Sequence, residues 1–139
     1  MGRNSEGQIR YVAEQFHKTL TTRDIDGLMK LYHDDAVLES SAVLTIEGKR
    51  PGILHGKKEI RPHFEQFFEL IGKDNPGWYH YTPYFTDGNR LVCEYPSKGP
   101  QGDQLDVVES FHLKDGLVAE HRVYWGFRGF DLLNGSTAE

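Results

Sequence analysis

The chain has 139 residues, with 16 lysines and arginines against 21 aspartates and glutamates, for a formal net charge of −5. That balance repels phosphate backbones unless the bases gather on one face, and Lys49-Arg50 with Lys57-Lys58 is too short a cluster, so no nucleic-acid partner is expected. The length suits one domain over 1–139, able to bury roughly two thirds of the surface an unfolded chain exposes.

The first residues hold no apolar signal-peptide core, and Glu6 stands where a myristoylation signal wants Ser or Thr. No run approaches a membrane span, so a cytoplasmic protein with no membrane partner is expected. Ser5 and Gln8 have capping-box spacing, and Ile9, Val12, Ala13, Phe16 and Leu20 recur at helical intervals, which predicts a helix over about 6–21. After Asp24 as N-cap, Ile25, Leu28, Met29 and Tyr32 predict a shorter helix ended by His33-Asp34-Asp35, and Ala36 to Ser40 reads as a strand.

From Ser41 to Gly56 a β-prone run (Val43, Leu44, Thr45, Ile46) mixes with Gly48, Pro51 and Gly52, which predicts a hairpin or a mobile flap. Ile60, Phe64, Phe67, Phe68 and Ile71 mark a third amphipathic helix that must begin close to Glu59 to tolerate Pro62 and that stops at Gly72. Strand signal then dominates: Trp78 to Phe85, a turn at Asp87-Gly88-Asn89, Leu91 to Tyr95, a Gly/Pro loop, Leu105 to Leu113 and Leu117 to Phe127, with a frayed tail after Leu133. Cys93 is the one cysteine, so no internal disulfide forms, and its apolar run suits a packed thiol better than a nucleophile. Helices first and strands later predict an α+β fold whose helices close over a curved antiparallel sheet, leaving an apolar pocket for a small molecule.

The last hairpin carries the sharpest inference, because loop length fixes which side chains share a face. A two-residue Asp115-Gly116 turn would set Leu113 opposite Val118 and Phe111 opposite Glu120, mixing the faces. A three-residue loop, Lys114-Asp115-Gly116, pairs Leu113 with Leu117, Phe111 with Ala119, Glu109 with His121, Val107 with Val123 and Leu105 with Trp125. Every pair but one is then apolar. A buried glutamate needs a partner, and an acid facing an imidazole in an apolar cleft is the usual material of general acid-base catalysis. The same pair also fits a satisfied structural ion pair, or one in water at the mouth. Trp125 suits either core or pocket wall, and the outer face shows Val108, Ser110, Val118 and Tyr124 among charges, a mixture suited to a dimer patch.

The seven histidines show no metal-ligand spacing such as H-E-x-x-H, and neither a Ser-His-Asp arrangement nor a Gly-rich phosphate loop occurs, so no metal and no cofactor is expected. His63 on the third helix is a rim or catalytic histidine, and Tyr32 is core or a ligand hydrogen-bond donor.

The runs Leu31-Tyr32-His33-Asp34-Asp35-Ala36-Val37-Leu38-Glu39, Leu54-His55-Gly56, Leu105-Asp106-Val107-Val108-Glu109 and Val123-Tyr124-Trp125 resemble the ketosteroid isomerase and SnoaL-like polyketide cyclase branch of the nuclear transport factor 2-like superfamily. The resemblance implies a cystatin-like cone, a strongly curved sheet wrapped around three N-terminal helices, with a small ligand at the open end and a homodimer through the outer face. Isomerase members use an Asp base, which falls on Ser40, a helix-one Tyr, which falls on Phe16, and a protonated Asp donor, which falls on Glu109. One network Tyr corresponds to Phe64, another is kept as Tyr32, and the pocket Trp is kept as Trp125. Ser40 cannot take a carbon-bound proton unaided, so a Glu109-His121 dyad is the substitute, lined by Phe16, Tyr32, Ser40, His63, Phe64, Val107, Val123 and Trp125. Isomerase, cyclase, dehydratase or hydrolase chemistry, a non-catalytic ligand binder and an association module all remain open.

Overall fold

The computed structural model describes residues 3–71, 84–95 and 106–127. Helix α1 spans Glu6–Thr22 and opens on the expected reciprocal cap, with Ser5 Oγ accepting from Gln8 N and Gln8 Oε1 accepting from Ser5 N. Its buried stripe is Ile9, Val12, Ala13, Phe16, Thr19 and Leu20, and it ends at Arg23 in the left-handed region.

Helix α2 covers only Ile25–Met29, capped by Asp24. Tyr32 therefore opens strand β1 (Tyr32–Ser40) instead of closing a helix, and β1 starts four residues before the expected Ala36. The segment expected as a hairpin or flap is helix α3 (Ser41–Glu47), a turn, and the short strand β2 (Ile53–His55). The reason lies in its ends and its burial. Ser40 Oγ accepts from Ala42 N at 3.1 Å, Gly48 closes the helix at φ 64°, and Ala42 and Val43 are buried in between. Caps and core contact outweigh the β-propensity of Val43, Thr45 and Ile46. Helix α4 spans Lys57–Ile71, two residues earlier than expected, so Pro62 sits in its second turn.

Strands β3 (Tyr84–Thr86), β4 (Arg90–Tyr95), β5 (Val107–Lys114) and β6 (Leu117–Trp125) complete a curved six-stranded sheet in the order β2-β1-β6-β5-β4-β3. The α+β class is as expected. One pairing departs from it, since β1 runs parallel to β6, with Leu38 beside His121 and Ser40 beside Val123. The expected strand segment 78–83, Leu105, the stop at Gly72 and the tail after Leu133 lie outside the described residues.

The final hairpin corrects the expected register. Asp115 (φ 54°) and Gly116 (φ 77°) form a two-residue turn with Lys114 opposite Leu117, because two consecutive positive φ angles are what the tight hairpin turn requires. The pairing then slips: Leu113 faces Val118 but His112 faces Glu120, leaving Ala119 as an extra residue in β6. Beyond the bulge Phe111 faces His121, Glu109 faces Val123 and Val107 faces Trp125. Every pair differs from expectation, Leu113 with Leu117 included. The bulge also turns Val118, expected on the outer face, into the core, where it is fully buried. From Phe111 to Val107 the displacement is two residues, which leaves the faces unchanged, and so Glu109 and His121 share the inner face as diagonal neighbours.

Candidate functional site

Four elements bring the inner-face polar groups together. Strand β5 presents Glu109 between Val107 and Phe111, β6 presents His121, β1 begins with Tyr32, and α1 lays Phe16 over them. His121 Nε2 lies 2.8 Å from Glu109 Oε1, and His121 Nδ1 lies 2.8 Å from Tyr32 Oη. All three are sealed, with relative exposures of 4% for Glu109, 0% for His121 and 1% for Tyr32.

Aromatic rings close the surroundings. Phe111 stacks on the His121 ring at 4.2 Å and 19°, Phe16 meets it edge-on at 5.5 Å, and Phe64 lies 6.3 Å from the Tyr32 ring. With Glu109 ionised, Nε2–H donates to the carboxylate, which leaves Nδ1 to accept the phenolic proton of Tyr32. Burial, reinforced by the negative charge of Glu109, pushes the Tyr32 phenol well above its ordinary 10.0, so Tyr32 stays a donor. The Cys93 thiol, cross-strand from Glu109, is pushed up to about 12 by burial and that same charge, which fits a packed thiol and not a nucleophile.

The other expected residues fall in two places. Ser40 is buried, accepting from Trp125 Nε1 and Ala42 N, both at 3.1 Å, and Phe67 lies 6.3 Å from the Trp125 ring. Ser40, Val123 and Trp125 help line an open cleft of about 560 Å³, together with Glu39, Ser41, Arg122 and Tyr124. Glu39 points outward to Arg122 at 3.0 Å. Val123 is also the cross-strand partner of Glu109, so the acid lies one residue in from the cleft wall. Val107 is buried at the start of β5. His63 belongs to neither group, since its Nδ1 binds Glu47 Oε2 at 2.9 Å between α4 and α3.

Phe16, Tyr32, Phe64, Glu109 and His121 thus assemble, while Ser40, Val123 and Trp125 form the neighbouring cleft. Sequence reasoning missed two residues, Phe111 and Glu47, and one partnership, that of Tyr32 with His121. Phe111 was within reach, because two positions from Glu109 on one strand means the same face. Tyr32 as the direct partner of His121 depends on the parallel β1–β6 pairing, which no local pattern announces. Glu47 stands 16 positions from His63, in a segment whose helicity the sequence concealed. Among the described residues no cluster of His, Cys, Asp and Glu could hold a metal ion, and no helix is long and apolar enough to cross a membrane.

The curved sheet cupping helices, taken with the family match over most of the chain, defines a protein of the nuclear transport factor 2-like superfamily. Within it the chain belongs to the SnoaL-like domain family, which matches residues 13–121. Solved structures with the same fold include a SnoaL-like protein of unknown function from Burkholderia thailandensis, 15% identical, with a TM-score of 0.73 over 90% of this chain and 99% of that one. TerC, co-crystallised with polyporic acid, gives a TM-score of 0.65 at 16% identity over 92% and 98%. A candidate ketosteroid isomerase from Kribbella flavida gives 0.61 at 20% over 86% and 78%. A search of curated proteins finds no match. At these identities the likeness defines the fold and leaves the chemistry to the site.

Proposed function

We propose that this chain takes a small, largely apolar molecule into its interior and, without a cofactor, transforms it by acid-base chemistry of isomerase, cyclase, dehydratase or hydrolase type, with Glu109 and His121 carrying the proton. One observation supports the reading above all: the unbroken chain from Tyr32 through His121 to Glu109, two contacts of 2.8 Å walled by Phe16 and Phe111. Stability does not call for it, because exchanging a buried ion pair for hydrophobic residues of similar volume is often neutral or stabilising by about 1–4 kcal/mol. What the chain supplies is a fixed tautomer. Tyr32 engages Nδ1, Nε2 faces the carboxylate, and an imidazolium, formed when Nδ1 takes up a proton and the Tyr32 hydroxyl turns from donor to acceptor, is stabilised by Glu109.

In this reading the cleft beside Ser40 and Trp125 is the entry, with Val123 separating it from the acid. The isomerase-like neighbour and the relative crystallised with polyporic acid lend support to a small-molecule ligand. The proposal includes a homodimer through the outer sheet face, where Val108, Ser110 and Tyr124 stand among charges, and a cytoplasmic location. A non-catalytic binder is the alternative, favoured by one fact: both ring nitrogens of His121 are already engaged by protein groups.

The test is incubation of the purified chain with a β,γ-unsaturated ketosteroid and with aromatic polyketide esters, followed by mass spectrometry of the products. Glu109→Gln and His121→Gln are expected to lower any turnover by about 10²–10⁴-fold. Unchanged rates in both variants reject the catalytic role. A probe that raises the melting temperature yet emerges unaltered identifies a binder.

A further inference from the structure

Ser40, Val123 and Glu109 stand in one row across the sheet. Val123 of β6 pairs with Ser40 of β1 on one side and with Glu109 of β5 on the other, so the Ser40 and Glu109 backbones lie about 10 Å apart, two strand spacings, with the side chains on one face. The function proposed above uses Glu109 and leaves Ser40 as part of the cleft wall.

A serine hydroxyl has two lone pairs and one proton. Both lone pairs of Ser40 are taken, because Trp125 Nε1–H and Ala42 N–H each donate to its Oγ at 3.1 Å, and neither of those groups can accept. Further bonding by Ser40 can only be donation, and the two incoming bonds polarise its O–H and strengthen it as a donor. Among the described residues nothing accepts that proton. The helix cap and the indole account for the lone pairs of Ser40 and not for its O–H, and at 4% exposure a donor left unmade is disfavoured. Beside it opens the cleft of about 560 Å³, whose wall includes Ser40, its donor Trp125, and Val123 between Ser40 and Glu109. On the same wall Glu39 and Arg122 pair at 3.0 Å and cancel each other's charge, so the cleft favours a neutral molecule.

We propose that Ser40 recognises the oxygen of a neutral carbonyl compound in this cleft, donating its O–H to that oxygen while Val123 and Trp125 cover the apolar body. A carbonyl suits the site better than an alcohol does. Its oxygen only accepts, whereas a ligand hydroxyl in the same place would bring a proton for which Ser40 has no lone pair left. The donor fixes which end of the molecule stays beside Ser40 and which extends across Val123 toward Glu109, and the bond strengthens if negative charge builds on the oxygen. This deepens the function proposed above and rests on its reading of the cleft as the entry, but not on turnover by Glu109.

Benzophenone and its hydrocarbon analogue diphenylmethane test the idea on the full chain, with affinities from calorimetry and the carbonyl stretch of isotope-labelled benzophenone from infrared difference spectra. Ser40→Ala is expected to weaken benzophenone about 3–10-fold and to leave diphenylmethane unchanged. The carbonyl stretch of the bound ketone is expected below its value in hexane for the wild type and for Ser40→Thr, which keeps the hydroxyl, and to return toward that value in Ser40→Ala. Equal weakening of the two probes in Ser40→Ala would mean that the residue only shapes the cleft and would overturn the proposal. So would a wild-type stretch that stays at the hexane value, a measurement that needs no variant to fold. Binding of neither probe overturns this inference together with the entry reading, whereas a chain that passes these tests and turns over no compound loses the catalytic reading alone.

Discussion

Strands β5 and β6 carry two acid-histidine pairs on opposite faces of the same hairpin. On the inner face Glu109 meets His121 at 2.8 Å, with side-chain exposures of 6% and 0%. On the outer face His112 meets Glu120 at 3.0 Å, directly across the strands, with exposures of 42% and 58%. Chemistry and geometry are nearly the same, and water is the difference. Outside, either partner left alone is solvated at once, and salt screens what remains of the attraction. Inside, each partner is the other's substitute for water, so neither can be removed cheaply. A Glu-His pair therefore says little by its residue types, and the face on which it sits decides whether it carries a consequence.

The largest expected effect breaks the inner pair. Glu109→Ala leaves His121 Nε2 without its carboxylate in an aromatic enclosure, and is expected to lower the unfolding free energy by about 3–5 kcal/mol, read from urea melts at neutral pH. Replacing both residues by leucine is expected to recover most of that loss, because no polar group is then stranded. A loss below about 1 kcal/mol in Glu109→Ala would put the inner pair in the class of surface pairs and remove the contrast between the faces.

Next in size is the third member of the inner chain. Tyr32→Phe keeps the ring but deletes the hydroxyl on His121 Nδ1, leaving a buried acceptor unsatisfied at a cost of about 1–3 kcal/mol. The wild-type chain also carries a pH signature. Its native state holds the Tyr32 proton more tightly than the unfolded state does, so as the pH rises past the ordinary 10.0 the unfolded chain gains by ionising and stability falls. Tyr32→Phe is expected to flatten the part of that alkaline slope due to Tyr32, and an unchanged slope in denaturant melts above pH 10.0 would count against a sealed phenol.

These effects show what sequence could and could not disclose. The inner location of Glu109 and His121 was legible because strand periodicity is two, and a register displaced by two residues keeps every face. The true pairing was not legible, because the two-residue turn at Asp115-Gly116 works only with a compensating bulge at Ala119, and Ala119 carries no local mark of it. Tyr32 reads as the last apolar position of a helical pattern, and it becomes a strand residue because β1 pairs in parallel with a β6 far along the chain. Ser41 to Glu47 reads as β-prone by composition, and it is helical because Ser40 caps it and Val43 is buried. Local pattern carried the faces. Long-range pairing set the partners.

The smallest expected effect falls on the outer pair and is the sharper control. Hydrogen bonding from His112 holds the Glu120 carboxyl below its ordinary 4.5, so the native state prefers the ionised form. That contribution is present above pH 4.5 and is lost as the pH falls through the lowered native value. Because both side chains stand in solvent, Glu120→Ala is expected to cost no more than about 1 kcal/mol at neutral pH, and less in high salt. The comparison turns on salt as much as on size: added salt should erase the Glu120→Ala difference and leave the Glu109→Ala loss nearly intact, since mobile ions reach one pair and not the other. Equal salt sensitivity in the two variants would mean that solvent reaches both faces alike, and burial could then no longer be the reason that the inner pair matters.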